Sequence, residues 1–540
     1  LAVGILVDDA TVEIENIHRN LGQHKPILQA ILDGAMQIAV PAFVSTLCIC
    51  IVFVPVIFLT GAARYLFTPL ALAVVLAMMA SYLLSRTLVP TMVRYLLDAE
   101  VERYATGEEG AIEDGRPGIF AAIHHGFQMR FEAMRRGYRR LLEASLANRG
   151  LVCAAFFVLC GAGLALVPWL GEDFFPQVDA GQIRVHVRAP AGTRIEETEH
   201  YFAAVEDTIR RTIPPGALTD LLDDIGLPYS GVNIATSDTA TIGPFDGEIL
   251  VSLSNGDRLS TGDYIRDLRR RLNRQYPELT FFFQPADIVG QILNFGLPAP
   301  IDVQVVGPLA NDKANYVLAR QIERRLARIS GAVDVHTHQV VDVPELLFQV
   351  DRTRAQQLGM TQQDVANSLL ISLSSNTQIA PNYWIDPRNS VDYPISVMTP
   401  QHVVDSTSEL LRTPVSANSR PARQLLANMG SLQRDTTASV VNHYNVQPLY
   451  DVYANVQDRD LGAVANDVDR VLAEFTPKLP KGSFLETRGQ VSTMRSSFVG
   501  LGVGLVFAVV LVYFVMVVNF QSWLDPFIIL MALPGALAGI

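Results

Sequence analysis

Between Asp33 and Arg64 the chain carries no charged residue, and between Arg64 and Arg86 it again carries none. Runs of this length have one stable solution in lipid. Every backbone N–H and C=O must be satisfied within the segment, so each run forms a spanning helix of roughly 20 residues. A tight turn around Gly61 would join the two. Further uncharged runs occupy 151–170 and 496–524, another begins near Pro526, and the opening segment, Leu1 to about Ile17, reads as the C-terminal part of a helix. Six spans result, two of them incomplete, and the 540 residues read as a window of a longer protein. Charged residues are 18% of the chain, against about 25% in ordinary soluble domains. A net charge of -12 leaves no basic surface for phosphate, which excludes nucleic acid as a partner. Cys48, Cys50, Cys153 and Cys160 all sit in apolar runs and outline no disulfide framework.

Basic residues close to span ends set the orientation. Arg19 and Lys25 after the first span, Arg86 and Arg94 after the third, and Arg130, Arg135, Arg136, Arg139, Arg140 and Arg149 before the fourth would face the cytoplasm. The expected layout places spans at 1–17, 34–62, 65–93, 149–171, 496–520 and 525–540, with a cytoplasmic loop at 94–148. After the break Asp114-Gly115-Arg116-Pro117-Gly118, residues 119–148 read either as an amphipathic helix on the inner face or as a plain linker helix.

Glu172 to Arg495 then lies outside the cytoplasm. Strand alternation and helix-start signals recur there in a fixed order. A strand at 182–189 is followed by a capping box at Thr193 and Glu196 with a helix to about Ile213, a strand at 248–254, a helix at 260–276 and a strand at 279–284. The order repeats from 301–306, with strands at 333–337 and 346–350, a helix from Thr361, and later elements at 449–456, 461–475 and 484–487. The fold class expected is a polytopic α-helical membrane domain plus an α+β extracytoplasmic domain. The latter holds tandem split βαβ (ferredoxin-like) subdomains, the second interrupted by a strand-rich insertion at about 377–445.

The residues that carry chemistry are Asp8 and Asp9, in the run Leu1-Ala2-Val3-Gly4-Ile5-Leu6-Val7-Asp8-Asp9-Ala10. A carboxylate inside a spanning helix costs roughly 2.5 kcal/mol or more, so two in a row mark a function. Burial and mutual repulsion make such a pair hard to keep fully ionised, which is what a proton relay requires. The alternative is that the helix ends at Val7 and both acids sit among headgroups, with Glu13 and Glu15 close behind. Glu13, four residues after Asp9, lies on the same face about 6 Å further along the axis. It is either a cytoplasmic exit for protons or simply interfacial.

Gly4-Ile5-Leu6-Val7-Asp8-Asp9-Ala10, followed by Glu15-Asn16-Ile17 and Arg19, resembles the fourth transmembrane helix of the resistance-nodulation-division (RND) transporters, in the hydrophobe/amphiphile efflux subfamily typified by AcrB. Phe174-Phe175-Pro176 and Ala189-Pro190-Ala191-Gly192-Thr193 resemble the start of that family's second periplasmic loop. Asn519-Phe520-Gln521-Ser522-Trp523 with Pro526 resembles its eighth-to-ninth helix junction. Glu13 stands where the family usually has an apolar residue.

The resemblance implies proton-driven efflux of hydrophobic or amphiphilic compounds, powered by the proton-motive force with no cofactor, catalytic residue or resident metal. Asp8 and Asp9 would be the relay carboxylates, their basic partner lying on a later helix. Residues 178–290 would be porter subdomain PC1, 291–376 with 446–490 would be PC2, and 377–445 the docking (funnel) subdomain. The partners implied are two further copies in a homotrimer, a periplasmic membrane-fusion adaptor, a TolC-like outer-membrane channel, the lipid bilayer and small amphiphilic substrates. The location implied is the inner membrane of a Gram-negative bacterium, multi-pass, with the large loop in the periplasm. Arg184 and His186 would line the substrate path or a solvated sheet face, Arg188 sharing that face opposite Ile183, Val185 and Val187. Phe245, in the loop 226–246, and Leu250 would stand at the pocket, while Ile301, Val303 and Val305 align with the entrance strand or belong to the core. His124-His125 and His336/His338 lack acid or Cys neighbours for zinc, and no Walker lysine motif is present. Two other readings stay open: an RND-type exporter of metal ions or lipids, and a non-transporting receptor or secretion accessory of similar architecture.

Overall fold

The computed structural model describes the chain except for residues 1, 24, 60, 97–118, 176–178, 229–240, 257, 295, 418–419 and 540. The Asp114–Gly118 break and most of the 226–246 loop lie outside the described residues. Helix α1 (Ala2–Leu21) packs along α2 (Ile27–Ile51, continued by a 3-10 turn at Val54–Phe58) and α3 (Gly61–Leu96) around Ile17, Leu21, Ala30, Ile31 and Val93. The approach of α1 to α2 depends on Gly34, where a Cβ would stand 3.0 Å from the Ile17 side chain. Gly61 takes φ +61° at the start of α3, which glycine adopts without strain, and so makes the turn expected there. Helix α4 (Ile119–Ala147) exposes Phe127, Phe131, Met134, Tyr138 and Leu142 at helical spacing. Helix α5 (Arg149–Leu166) leads to the extramembrane part. Among the described residues, Ile27–Phe58, Ala63–Leu96, Arg149–Leu166 and Gln490–Phe520 are helical stretches long and apolar enough to cross a membrane, with a shorter apolar run at Leu524–Gly539.

The first extramembrane unit runs β1 (Gln182–Arg188), α6 (Ile195–Thr212), β2 (Leu218–Ile225), β3 (Asp246–Leu253), α7 (Thr261–Gln275) and β4 (Thr280–Gln284). Its sheet has the order β2-β3-β1-β4 with antiparallel neighbours throughout, a split βαβ arrangement. Ile183, Val185 and Val187 point into its core with Phe202, Ile249 and Leu268. Two details differ from the sequence reading. The edge strand β2 was missed because Asp220, Asp223 and Asp224 break its apolar pattern, charges that suit an exposed edge. No Thr193–Glu196 capping box forms: Arg194 takes the N-cap position without a side-chain bond, and the Thr193 hydroxyl donates to the Pro190 carbonyl.

The second unit repeats the order with β5 (Ile301–Val306), α8 (Asp312–Leu326) and β6 (Ala332–Thr337), and resumes far along the chain. What lies between departs from the expected boundaries. Strand β7 (Val343–Val350) pairs with β12 (Gly430–Thr437) rather than with the second sheet. Helix α9 (Gln362–Ser374) belongs to a separate core of Met360, Val365, Val415, Leu426 and Met429. The insertion therefore starts near Val343, not at 377, because β7 pairs with its returning arm in a sheet of its own and its Phe348 and Val350 pack on the separate core. Within it lie β8 (Asn382–Ile385), β9 (Asp392–Ile395), β10 (Pro414–Ala417) and β11 (Arg420–Leu425). The chain returns through β13 (Asn442–Tyr444), β14 (Gln447–Val456), α10 (Leu461–Phe475) and β15 (Phe484–Arg488), giving the order β13-β14-β5-β15 with β6 also on β14. Helix α11 (Gln490–Phe520) starts six residues earlier than its uncharged run, since Val491 and Met494 complete the core of the second unit. Helices α12 (Leu524–Leu530) and α13 (Leu533–Gly539) end the chain.

The polar faces of the two sheets meet. On the first, fully buried His186 places Nε2 against Asp246 and Nδ1 3.3 Å from both Glu248 Oε1 and the Gln284 amide, so two carboxylates face the ring and favour its protonated form. Arg188 Nη2 donates to Asp246 Oδ2 at 3.2 Å, while its Nη1 crosses to the His338 carbonyl of the second unit at 3.2 Å. Phe282 stacks between His186 and His336, with centroids 4.0 and 3.8 Å away. A second clasp is Arg269, whose Nε and Nη2 donate to Asp334 Oδ1 and Oδ2 at 2.7 and 2.8 Å. Burial alone would push the His186 imidazole down, but the charge and hydrogen bond of Asp246, with Glu248, outweigh it and hold it above its ordinary range. The same pairing, against the effect of burial, holds Asp246 at about 2.

Removing one partner of a buried pair costs about 3–5 kcal/mol, so His186→Gln should lower the melting temperature of the full-length protein in detergent. A group with a raised folded pKa stabilises fully below its unfolded value of about 6.5, and the contribution fades as pH rises through the folded value. The deficit of His186→Gln relative to the parent should therefore be largest below about pH 6.5 and shrink as the buffer becomes alkaline.

Candidate functional site

Helix α1 has a polar seam. Asp9, Glu13, Asn16 and Asn20 recur at helical spacing on the side that meets α2 and α3. Asp9 is buried, with Oδ2 3.4 Å from Thr46 Oγ1 of α2; the same hydroxyl lies 2.9 Å from the Ala42 carbonyl. Asp8 shares the helical backbone, its side chain lying outside the described residues. One turn on, Glu13 is 0% exposed and ion-paired with Arg86 of α3. Arg86 also donates to the Ala35 carbonyl at 3.3 Å and lies 5.6 Å from the Tyr82 ring centroid. Further along, Asn16 Nδ2 donates to the Gly34 carbonyl at 2.8 Å, and Asn16 and Asn20 both donate to Gln37 Oε1 at 3.1 Å. Lys25 Nζ closes the seam, donating to Asn20 Oδ1 at 2.7 Å and Asp33 Oδ2 at 2.8 Å.

This geometry settles two points of the sequence reading. Arg86 is not a loop residue following the third span, because α3 continues to Leu96 and turns the guanidinium inward onto Glu13. Nor does α1 end at Val7, since its backbone is helical through Leu21. The Glu13–Arg86 pair went unread because the partners are far apart in sequence and each sat next to a commoner explanation, a helix end for one and a flanking positive charge for the other.

A cavity of about 590 Å³ opens at the foot of the two extramembrane units, where α5 leaves the membrane region and α11 enters it. Phe174, Phe175, Phe283 and Ile265 give it apolar walls, and Arg266 and Asp458 line it as an ion pair at 2.8 Å. The expected path residues lie elsewhere. Phe245 is in the first core, and Ile301, Val303 and Val305 are fully buried in the second, so these strand residues pack rather than line a channel. Arg184 and His186 do share a face, but it is neither solvated nor open: His186 is sealed between the sheets, and Arg184 Nε lies 3.7 Å from Glu248 Oε2. Leu250 is half-buried on that face, opposite Arg184 in the register.

The joints beside the cavity are short and hydrogen-bonded. Just after α5, the Glu172 N–H donates to Asp460 Oδ2 at 3.0 Å, and the Leu461 N–H donates to Asp173 Oδ1 at 2.9 Å. Asp460 is also the N-cap of α10, accepting from the Ala463 N–H at 2.8 Å. On the other side only Gly489, at φ +84°, separates β15 from α11. Both membrane helices are thus fixed to the second unit with almost no slack.

Comparison with known proteins agrees with this architecture. The chain is 23% identical over its full length to a cobalt-zinc-cadmium resistance protein, CzcA, of Cupriavidus metallidurans, and 24% identical to the multidrug resistance protein MdtC of Escherichia coli. It covers 49% and 48% of those proteins, about half the length of the curated relatives it matches. A crystal structure of a heavy metal efflux pump shares the fold with a TM-score of 0.71 at 21% identity, over 99% of this chain and 49% of that one. A model described as the AcrB/AcrD/AcrF family matches residues 1–540, and the chain belongs to that family of RND permeases.

Proposed function

We propose that the chain is the central part of an RND-type efflux transporter that exports hydrophobic or amphiphilic compounds in exchange for protons. The observation that carries this reading is Asp9, a carboxylate next to Asp8 that is buried where α1 packs against α2 and α3. A charge there is costly, and taking up a proton removes it, so proton binding changes how α1 packs. Two packings of one bundle are then biased by the proton gradient, and the rigid joints at Asp460 and Gly489 pass the shift to the extramembrane units.

The cavity at their foot supports an amphiphilic cargo, because it combines aromatic walls with charged groups and opens where two membrane helices meet the aqueous part. A homotrimer in the inner membrane, working with a periplasmic adaptor and a TolC-like channel under the proton-motive force, completes the proposal. A second reading, export of metal ions, is favoured by the likeness to CzcA and to the heavy metal efflux pump.

In the full-length protein, Asp8→Asn and Asp9→Asn should each reduce efflux to background while leaving trimer assembly unchanged on native gels; proton-driven efflux retained in both variants would overturn the relay assignment. A deletion strain tested against dyes, detergents, drugs and divalent metals should become sensitive to the amphiphiles. Sensitivity confined to metals would establish the second reading instead.

A further inference from the structure

We propose that Glu13, with Arg86 as its counter-charge, is the next station of the proton path after Asp9, and that the seam of Asn16, Gln37, Asn20 and Lys25 leads the proton on to the far end of α1. This deepens the antiport reading above and rests on it. Four observations converge. Glu13 follows Asp9 by one helical turn on the same face, the i,i+4 spacing at which side chains of one helix are neighbours. It is wholly buried where α1 packs on α3, and an ionised carboxylate taken out of water is costly. Among the described residues Arg86 is its one cation, and apart from that contact neither Glu13 oxygen has a hydrogen bond, so the pair is not locked into a saturated network. One turn past Glu13, a hydrogen-bonded run of polar side chains begins at Asn16 and continues through Gln37 and Asn20 to Lys25 and Asp33.

The step balances as a proton transfer. A proton drawn from extracytoplasmic water and held on the Asp9 carboxyl leaves its oxygen as the O–H bond breaks, and a new O–H bond forms on the Glu13 carboxylate. Asp9 returns to its charged form and the Glu13–Arg86 pair is neutralised on one side. Arg86 keeps its charge against the Ala35 carbonyl and the Tyr82 ring. Transfer of the proton from the Glu13 carboxyl to water held by the amides of the seam, and from there to bulk water at the far end of α1, restores the pair. The groups facing Glu13 are Arg86 from α3 and, on its own helix, Asp9; from α2 the neighbouring contacts are the Ala35 carbonyl through Arg86 and the Gly34 carbonyl through Asn16.

The test uses the full-length trimer in liposomes with an entrapped pH-sensitive dye, ethidium as the transported amphiphile, and an imposed pH gradient. Glu13→Gln should cut ethidium-dependent proton flux by about 100-fold, the scale of a lost proton-transfer group, while Glu13→Asp retains measurable flux. A double variant, Glu13→Leu with Arg86→Leu, separates relay from packing. It replaces a buried ion pair by apolar side chains, which leaves stability nearly unchanged, so the trimer should assemble with its parental melting temperature and still fail to move protons. Parental flux in the double variant would show that the pair only holds α1 to α3 and would overturn the proposal. Asp9→Asn run in parallel keeps the two claims apart: active Asp9→Asn removes the antiport reading itself, whereas inactive Asp9→Asn beside an active double variant removes only the Glu13 assignment.

Discussion

A carboxylate inside an apolar helix bundle has few ways to persist. It can bind a proton, meet a fixed cation, or accept hydrogen bonds from its neighbours. Along α1 all of these are in play within a few turns: Asp9 lies beside the Thr46 hydroxyl, Glu13 meets Arg86, and Asn16 and Asn20 make amide contacts with α2. The packing of α2 and α3 on α1 supplies those partners. Gly34 lets α2 come close enough to offer its carbonyl, and α3 runs past its apolar stretch far enough to bring Arg86 inward. The cost of misplacing any of these groups is several kcal/mol, and under the proposed antiport this is what would make the packing sensitive to the protonation state of its acids.

That sensitivity matters only if it reaches the aqueous units. Two features of the second unit carry it there. Asp460 ties the outgoing end of α5 to the start of α10, and the core of the same unit includes Val491 and Met494, the first turns of α11. A tilt or shift of either helix therefore moves the second sheet as a body. The first sheet is attached to it by polar contacts, Arg188 to the His338 carbonyl and Arg269 to Asp334, rather than by a continuous apolar core. Polar clasps of this kind hold one arrangement while allowing another, and Arg269 of one of them lines the cavity.

Much of this was legible in the sequence. Uncharged runs located the spanning helices, and period-two alternation correctly sent Ile183, Val185 and Val187 to the core side of β1. The repeat of the split βαβ order was also visible, but the place where the insertion begins was not. Nothing local distinguishes 343–350 as the arm of a hairpin whose other strand lies at 430–437, since strand pairing at that separation leaves no signal in either segment alone. The same limit hid the partners of the charged stripe. Arg184, His186 and Arg188 read as solvated or path-lining because Asp246 and Glu248 are remote in sequence, yet antiparallel register puts them directly across the strand. Arg86 was misplaced for the complementary reason, a positive charge near a span end being most economically read as a loop marker. In each case a side chain's role was set by a partner that only the fold supplies.

The central claim is that the Asp8/Asp9 pair takes up protons from the extracytoplasmic side. Infrared difference spectroscopy on the full-length protein in liposomes, recorded as the pH on that side is lowered, reads carboxyl protonation directly. The account predicts a protonated-carboxyl band that grows with acidification and is lost in Asp9→Asn. A spectrum unchanged by both Asp8→Asn and Asp9→Asn would contradict it.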